Sequence, residues 1–77
     1  LAQGKSALML NVHESNLAVV EDLLPSLKSP TVSTLKAEGW FAVTTIVNEH
    51  DVRSLIPQLK AAGAEDIIEL ALSKVVE

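Results

Sequence analysis

The stretch Trp40–Val47, WFAVTTIV, carries the clearest secondary-structure signal in this sequence of 77 residues. Aromatic and β-branched residues fill it, and residues of these types favour extended strands. The preceding segment, Thr31–Ala37, can form a shorter strand, and Glu38-Gly39 between the two is typical of a tight turn. We therefore predict a β-hairpin with a two-residue turn at the centre of the chain.

A helix is predicted on the N-terminal side of this hairpin. Ser15 is a candidate N-cap because its hydroxyl can accept a hydrogen bond from a free backbone N–H of the first turn. Pro25 marks the point where regular helix is expected to end, since proline lacks an N–H and clashes with the preceding turn. The residues expected on the buried face of this helix are Leu17, Val20, Leu24 and Leu27.

A second helix is predicted after the hairpin. Asn48 is its candidate N-cap, with Asp51 as a weak capping-box partner, and Gly63 is a good C-terminal stop. Pro57 lies inside this pattern, so we expect Ser54 to cap a restarted helix that has the proline in its first turn. The expected buried stripe consists of Val52, Leu55, Ile56 and Leu59.

The first and last strands complete the pattern, Ser6–Val12 (SALMLNV) and Asp66–Leu72 (DIIELAL). In the first strand Leu8, Leu10 and Val12 point to one face, and Ala7, Met9 and Asn11 point to the other. The resulting order is β-α-β-β-α-β. Right-handed crossovers convert that order into an α+β ferredoxin-like sandwich, a four-stranded antiparallel sheet with two helices on one face. Both helices lie on the same face, so the other face, expected to carry Met9, Ala42 and Ile46 or their alternates, needs water-tolerant residues or a partner.

Length and composition limit the classes of function. A chain of this length forms one domain, and its 48% hydrophobic content predicts a globular core. The net charge is -4 and the basic residues are scattered, which argues against nucleic-acid binding. No apolar run approaches the roughly 20 residues of a membrane span. The lack of cysteine fits a cytoplasmic protein, and the start at Leu1 leads us to expect a piece of a longer chain.

The sequence offers no recognisable catalytic constellation. Its two histidines, His13 and His50, are separated and are expected to be solvated residues near helix starts. The first and third strands are expected to end at the same edge of the sheet, so the two histidines could lie near each other there. Two ligands make only a weak metal site, so we predict no metal. The three glycines stand apart and form no phosphate-binding loop. A binding or regulatory module is therefore expected.

The segment Ser26–Leu35, SLKSPTVSTL, is unusually rich in hydroxyl groups for a connection. Pro30 restricts its own φ and biases Ser29 towards an extended shape, which makes the loop stiff. Backbone amides and carbonyls of such a loop can bind a small zwitterion, with the hydroxyls of Ser29, Thr31 and Ser33 around it. The commoner alternative is that these hydroxyls only satisfy backbone groups of the turn.

Four segments together resemble a known family. LMLNV, LLPSLKSPTVSTL, GWFAVTTIV and LKAAGAEDII are similar, in order and spacing, to the C-terminal regulatory domain of the long-form ATP phosphoribosyltransferases. The similarity runs from about Leu8 to Leu72. The sequence departs from the family pattern at Ser26, where glycine is usual, at Thr34, often proline, and at Pro57.

The resemblance implies an ACT-like regulatory domain that binds L-histidine, the end product of its pathway, for feedback inhibition. It places Leu27 and Ile46 in the lining of the ligand pocket and gives Asp66 a backbone contact. Asn11 and His13 lie in or next to the turn after the first strand, which also contributes. The effector-site residues carried over from the family are Thr31, Leu27, Ser29, Ile46, Asp66, Asn11 and His13.

The resemblance also implies partners. Domains of this family pack in a homo-oligomer, a hexamer arranged about a threefold axis. The catalytic domains of the parent enzyme, which bind ATP and phosphoribosyl pyrophosphate with magnesium, would precede Leu1, so this chain carries no catalytic residue or cofactor. Two alternatives remain at this stage: a free-standing oligomeric sensor of another small molecule, and a purely structural assembly domain of the same fold.

Overall fold

A computed structural model describes residues 4–24 and 29–73 of the chain. Two short 3₁₀ helices, Glu14–Asn16 and Glu49–Asp51, each lead into an α-helix. The strands and α-helices, in chain order, are β1 (Lys5–His13), α1 (Leu17–Leu23), β2 (Thr31–Thr34), β3 (Trp40–Asn48), α2 (Val52–Ala61) and β4 (Glu65–Leu72). Within the described ranges, neither helix is long and apolar enough to cross a bilayer.

The four strands form one sheet in the order β2-β3-β1-β4, and every neighbouring pair is antiparallel. This topology confirms the predicted ferredoxin-like βαββαβ arrangement. The longest pairing joins β1 to β3 from Lys5 opposite Asn48 to His13 opposite Trp40. The shorter strand β2 and the strand β4 are the two edges of the sheet.

The core lies between the sheet and the two helices. On β1 the predicted inward set is confirmed, since Leu8 and Val12 have no exposed surface and Leu10 is almost fully buried. Ile56 is only partly buried, and Leu27 lies outside the described residues. The helices contribute Val20, Val52, Leu55 and Leu59 to the buried set, and Leu24, directly after α1, is buried as well.

The hairpin connection is longer than the sequence suggested. Strand β2 ends at Thr34 rather than Ala37, so residues 35–39, and not two residues, connect it to β3. The N–H of Leu35 donates to the carbonyl of Trp40 at 2.9 Å, and the Trp40 N–H donates back to Ala37 at 3.2 Å. Gly39 turns the chain with a φ of 82°, a left-handed conformation in which glycine meets no Cβ clash.

The helix starts also differ from the prediction. His13, and not Ser15, is the side-chain cap at the first start, because its Nδ1 accepts from the Ser15 backbone N–H at 3.2 Å. Asn48 occupies the N-cap position of the second start but makes no capping bond with its side chain. Its amide oxygen instead accepts from Lys5 Nζ at 2.6 Å, which ties the start of β1 to the end of β3. The expected capping box with Asp51 is therefore not formed.

Pro57 lies within a continuous α2, so the expected helix restart at Ser54 is wrong. The Ser54 hydroxyl donates to the Asp51 carbonyl at 3.1 Å instead of accepting as a cap. Pro57 is exposed, while Val52 and Leu59 of the same helix are buried. Burial of the apolar stripe therefore outweighs the backbone cost of the proline, which is about 3 kcal/mol in a helix interior.

The end of α2 matches its prediction closely. Gly63 has a φ of 100°, and its N–H donates to the carbonyl of Lys60 while the Ala64 N–H donates to Leu59. These two bonds form a Schellman motif, in which glycine normally takes the left-handed position. A Cβ on Gly63 would also collide with the side-chain amide of Asn16, so no side chain fits here unless Asn16 moves.

We predict that Gly63→Ala lowers the free energy of unfolding by about 2 kcal/mol or more, since alanine is strained at positive φ and meets Asn16. Urea denaturation followed by circular dichroism measures this change. Gly4→Ala is the matched control, because its Cβ would meet only the flexible carboxylate end of Glu49. Equal losses in the two variants would contradict the proposed role of Gly63.

Candidate functional site

The sheet face that points away from the helices is open and largely apolar. Residues of β1 alternate between the two faces, so Met9 lies on the open side and is 40% exposed. On β4, Ile68 and Leu70 are exposed by 50% and 52%. Met9, Ala42 and Ile46 were expected on this face, and the strand register places all three there.

One end of the open face holds a polar pair beside a cavity. The Asn11 side-chain amide on β1 donates to Asp66 Oδ2 on β4 at 3.0 Å. Both residues border an open cavity of about 240 Å³ that also touches Trp40 and the hairpin loop. The lining residues are Asn11, Leu35, Ala37, Trp40, Glu65 and Asp66.

A β-bulge shapes this end of β4. Met9 pairs with Ile68. Asn11 pairs with Glu65, so two residues of β4 lie opposite the single β1 residue between these pairs. Asp66 is one of the two, and its φ of 53° puts it in the left-handed region. A bulge leaves backbone groups of its extra residue unpaired in the ladder, and such groups can bind a ligand.

His13 lies two residues beyond Asn11 on the same face of β1. Its ring meets the Trp40 indole edge-on, with centroids 5.5 Å apart and an interplanar angle of 78°. Its Nδ1 also lies 3.0 Å from the Ser15 hydroxyl. The ring therefore both caps the first 3₁₀ helix and supports the Trp40 wall of the cavity.

The two histidines do not meet. Strands β1 and β3 are antiparallel, so His13 at the end of β1 lies beside Trp40 at the start of β3. His50 follows the far end of β3, about 30 Å away along a nine-residue ladder. In the part of the chain that the structure describes, no group of three His, Cys, Asp or Glu side chains is placed to hold a metal ion.

A second set of candidate residues lies at the β2 edge. Thr31 opens β2 opposite Thr44, and Ile46 lies two residues beyond Thr44 on the same face. Such diagonal neighbours are about 7–8 Å apart, within reach of one ligand. Ser29 is exposed just before β2, whereas Leu27 falls outside the described residues. We call Ser29, Thr31 and Ile46 the β2-edge cluster, and Asn11 and Asp66 the β4-edge cluster.

The two clusters lie towards opposite edges of one sheet, with Thr31 on β2 and Asp66 on β4. Three inter-strand spacings separate β2 from β4, so Thr31 and Asp66 are about 14 Å or more apart. One amino-acid ligand is too short to contact both clusters within the same copy of the chain. The structure thus brings Asn11 and Asp66 together, with His13 near them, and keeps Thr31 and Ile46 apart from them.

Some residues bordering the cavity were missing from the sequence-based site. Leu35, Ala37 and Glu65 line it, and so does Trp40, which the sequence marked only as a strand residue. The signal for Trp40 was available, since a lone tryptophan at the first position of a strand lies next to a loop. The contribution of Leu35 and Ala37 depends on the length of the hairpin connection, which the sequence had assigned too short.

Comparison with known proteins gives a consistent match. The family described as "HisG, C-terminal domain" matches residues 2–74. A protein from Solibacter usitatus named ATP phosphoribosyltransferase is 53% identical over 75 residues, which cover 97% of this chain. Proteins of the same name from Nitratidesulfovibrio vulgaris and Chlorobium phaeovibrioides are 54% and 46% identical, over 97% and 99% of the chain. The chain spans only 26% of the length of each of these relatives.

We predict that Asp66→Val lowers the free energy of unfolding by about 1–2 kcal/mol, because a β-branched residue is poorly accommodated at a φ of 53°. Asn11→Ala removes the same side-chain hydrogen bond without changing residue 66, and should cost about 0.5 kcal/mol. Urea denaturation of both variants measures the difference. Equal losses would show that the left-handed backbone contributes no strain.

Proposed function

This chain belongs to the family of HisG C-terminal domains, and from that premise we propose that it is the regulatory domain of an ATP phosphoribosyltransferase and binds L-histidine. The proposal is supported by the agreement between the carried-over effector residues and the open face of the sheet. Of the seven, six lie in the described ranges, and Asn11 and Asp66 border one cavity there.

We place the transferase chemistry in the part of the parent protein that this chain does not cover. The relatives are about four times longer than the matched segment, since the chain spans 26% of each. ATP, phosphoribosyl pyrophosphate and magnesium would bind there, in the catalytic domains of the same polypeptide. The domain would act on that chemistry as part of a cytoplasmic enzyme in histidine biosynthesis.

The proposed mechanism rests on the separation of the β2-edge and β4-edge clusters across the sheet. A histidine held by both must lie between the β2 edge of one copy and the β4 edge of its neighbour. Joining two different edges is a heterologous contact, which closes into a ring when the rotation between copies allows it. A threefold ring, paired into a hexamer, satisfies this requirement and covers the apolar residues of the open face.

The chemistry of the clusters suits a zwitterion with an imidazole side chain. In our proposal, the Thr31 hydroxyl and the amides of its loop donate to the ligand carboxylate. The backbone carbonyl of Asp66, which lies in the bulge, accepts from the ligand ammonium group. Ile46 and Trp40 supply apolar surface for the ligand side chain.

Inhibition then follows from linkage. Histidine stabilises the arrangement in which neighbouring regulatory domains are joined, because only that arrangement completes its site. A differential affinity worth about 1–3 kcal/mol is the usual size of such coupling. The joined domains constrain the catalytic domains attached to them, and the enzyme is held in its less active form.

One alternative keeps the assembly and drops the ligand. The exposed apolar residues Met9, Ile68 and Leu70 favour self-association whether or not histidine binds. On this alternative the domain only joins subunits. A free-standing sensor of a different ligand would have the same fold, and titration with L-histidine separates both from the main proposal.

We predict that Thr31→Val weakens L-histidine binding about five- to tenfold, because it removes one hydrogen bond to the ligand carboxylate. Isothermal titration calorimetry measures the affinity. Thr34→Val is the matched control, since it makes the same substitution three residues on, where the strand presents the opposite face. Unchanged affinity in Thr31→Val would remove Thr31 from the site.

We also predict that Leu70→Lys shifts the chain to a smaller species in multi-angle light scattering, because it places a charge in the proposed contact between copies. The fold should survive, since Leu70 is already half exposed. Val19→Lys is the control, with similar exposure on the helical side. Identical masses for the unmodified chain and Leu70→Lys would argue against assembly through the open face.

A further inference from the structure

We propose that Asn11 is a positioning residue that fixes the bulge at Asp66, and that it acts on the ligand through Asp66 rather than by touching it. The inference rests on the proposed function, because the ligand concerned is L-histidine. It revises the role expected from the sequence, where Asn11 was a ligand contact. It also explains how a carboxylate residue adopts a conformation that usually requires glycine.

The Asn11 side chain is held by a hydrogen bond to Asp66. Its amide nitrogen donates to Asp66 Oδ2 at 3.0 Å, directly across from β1 to β4. One N–H of the amide is therefore engaged by the Asp66 carboxylate. Without breaking this bond, a histidine in the cavity could reach only the other N–H of the amide.

The backbone conformation of Asp66 also calls for a local restraint. A left-handed φ of 53° is unfavourable for most residues, and aspartate tolerates it better when its carboxylate is held locally. The bond to Asn11 supplies that restraint from the neighbouring strand. Asn11 pairs with Glu65 in the ladder, so the anchor lies beside the residue where the register shifts.

The position of the Asn11–Asp66 pair in the fold limits its effect to the site. Asn11 is half-buried and Asp66 is exposed, so their bond contributes little to the stability of the core. Its main consequence is local, since it selects the bulged form of β4 over a relaxed extended form. Because the bulge sets where the Asp66 backbone groups lie beside the cavity, losing the anchor changes the site while the fold survives.

The test uses three forms of the chain beside the unmodified one. Asn11→Ala removes the donor, and Asn11→Asp sets two carboxylates against each other. The exchange Asn11→Asp with Asp66→Asn restores a bond with donor and acceptor reversed, and asparagine also tolerates the left-handed region. Calorimetry gives the L-histidine affinity. Nuclear magnetic resonance without ligand reports the short intraresidue distance from the amide proton to Hα that marks a left-handed residue 66.

We expect Asn11→Ala to weaken L-histidine binding about five- to tenfold and Asn11→Asp to weaken it more, with loss of the left-handed signature in both. The exchange should recover the signature and bring the affinity to within about twofold of the unmodified chain. Thermal unfolding should change little in any form, so a merely structural role would not produce this pattern.

Two results would overturn the inference. If Asn11→Ala weakens L-histidine binding while residue 66 keeps its left-handed signature, Asn11 is a direct ligand contact. If the variant changes neither the signature nor the affinity, Asn11 has no role at the site. If the unmodified chain does not bind L-histidine in any multimeric form, the proposed function fails first. The signature then decides separately whether Asn11 fixes the bulge.

Discussion

The alternation of side chains along β1 is the constraint on which the rest of the structure depends. This strand pairs with β3 on one side and β4 on the other, so its geometry sets the register of three strands. Burying Leu8, Leu10 and Val12 under the helices commits Met9, Asn11 and His13 to the open face. A shift of one residue would exchange the two sets, exposing the core and removing the polar end of the site.

Apolar residues that recur every two positions in strands and every 3.6 positions in helices were sufficient to predict the elements and the core of this fold. The order βαββαβ, the inward residues of β1 and the glycine stop at Gly63 all follow from local preferences. The uninterrupted α2 around Pro57 did not, because it depends on burial after the elements pack. The cap at His13 is local but was missed, because serine is the more usual capping residue. Family resemblance supplied candidate site residues, but no local pattern shows that the Asn11 partner is Asp66, 55 positions away.

The arrangement of the site would give the proposed oligomerisation a functional reason. If each copy held a complete pocket, assembly and ligand binding could be separated without loss. Here Thr31 and Asp66 lie about 14 Å or more apart on one sheet, so the proposed ligand needs two copies. The free energy of ligand binding then directly stabilises the contact between subunits. An effector must do this in order to favour one quaternary arrangement over another.

Complementation between two defective forms tests the shared site most directly. Thr31→Val damages only the β2 edge and Asp66→Val only the β4 edge, and mixing them under conditions of subunit exchange creates interfaces where both edges are intact. When the two forms assemble at random through a heterologous contact, about a quarter of all interfaces join two intact edges. Calorimetry should then show that fraction of sites binding L-histidine with the affinity of the unmodified chain. A mixture that binds no better than its separate components would contradict a site shared between copies.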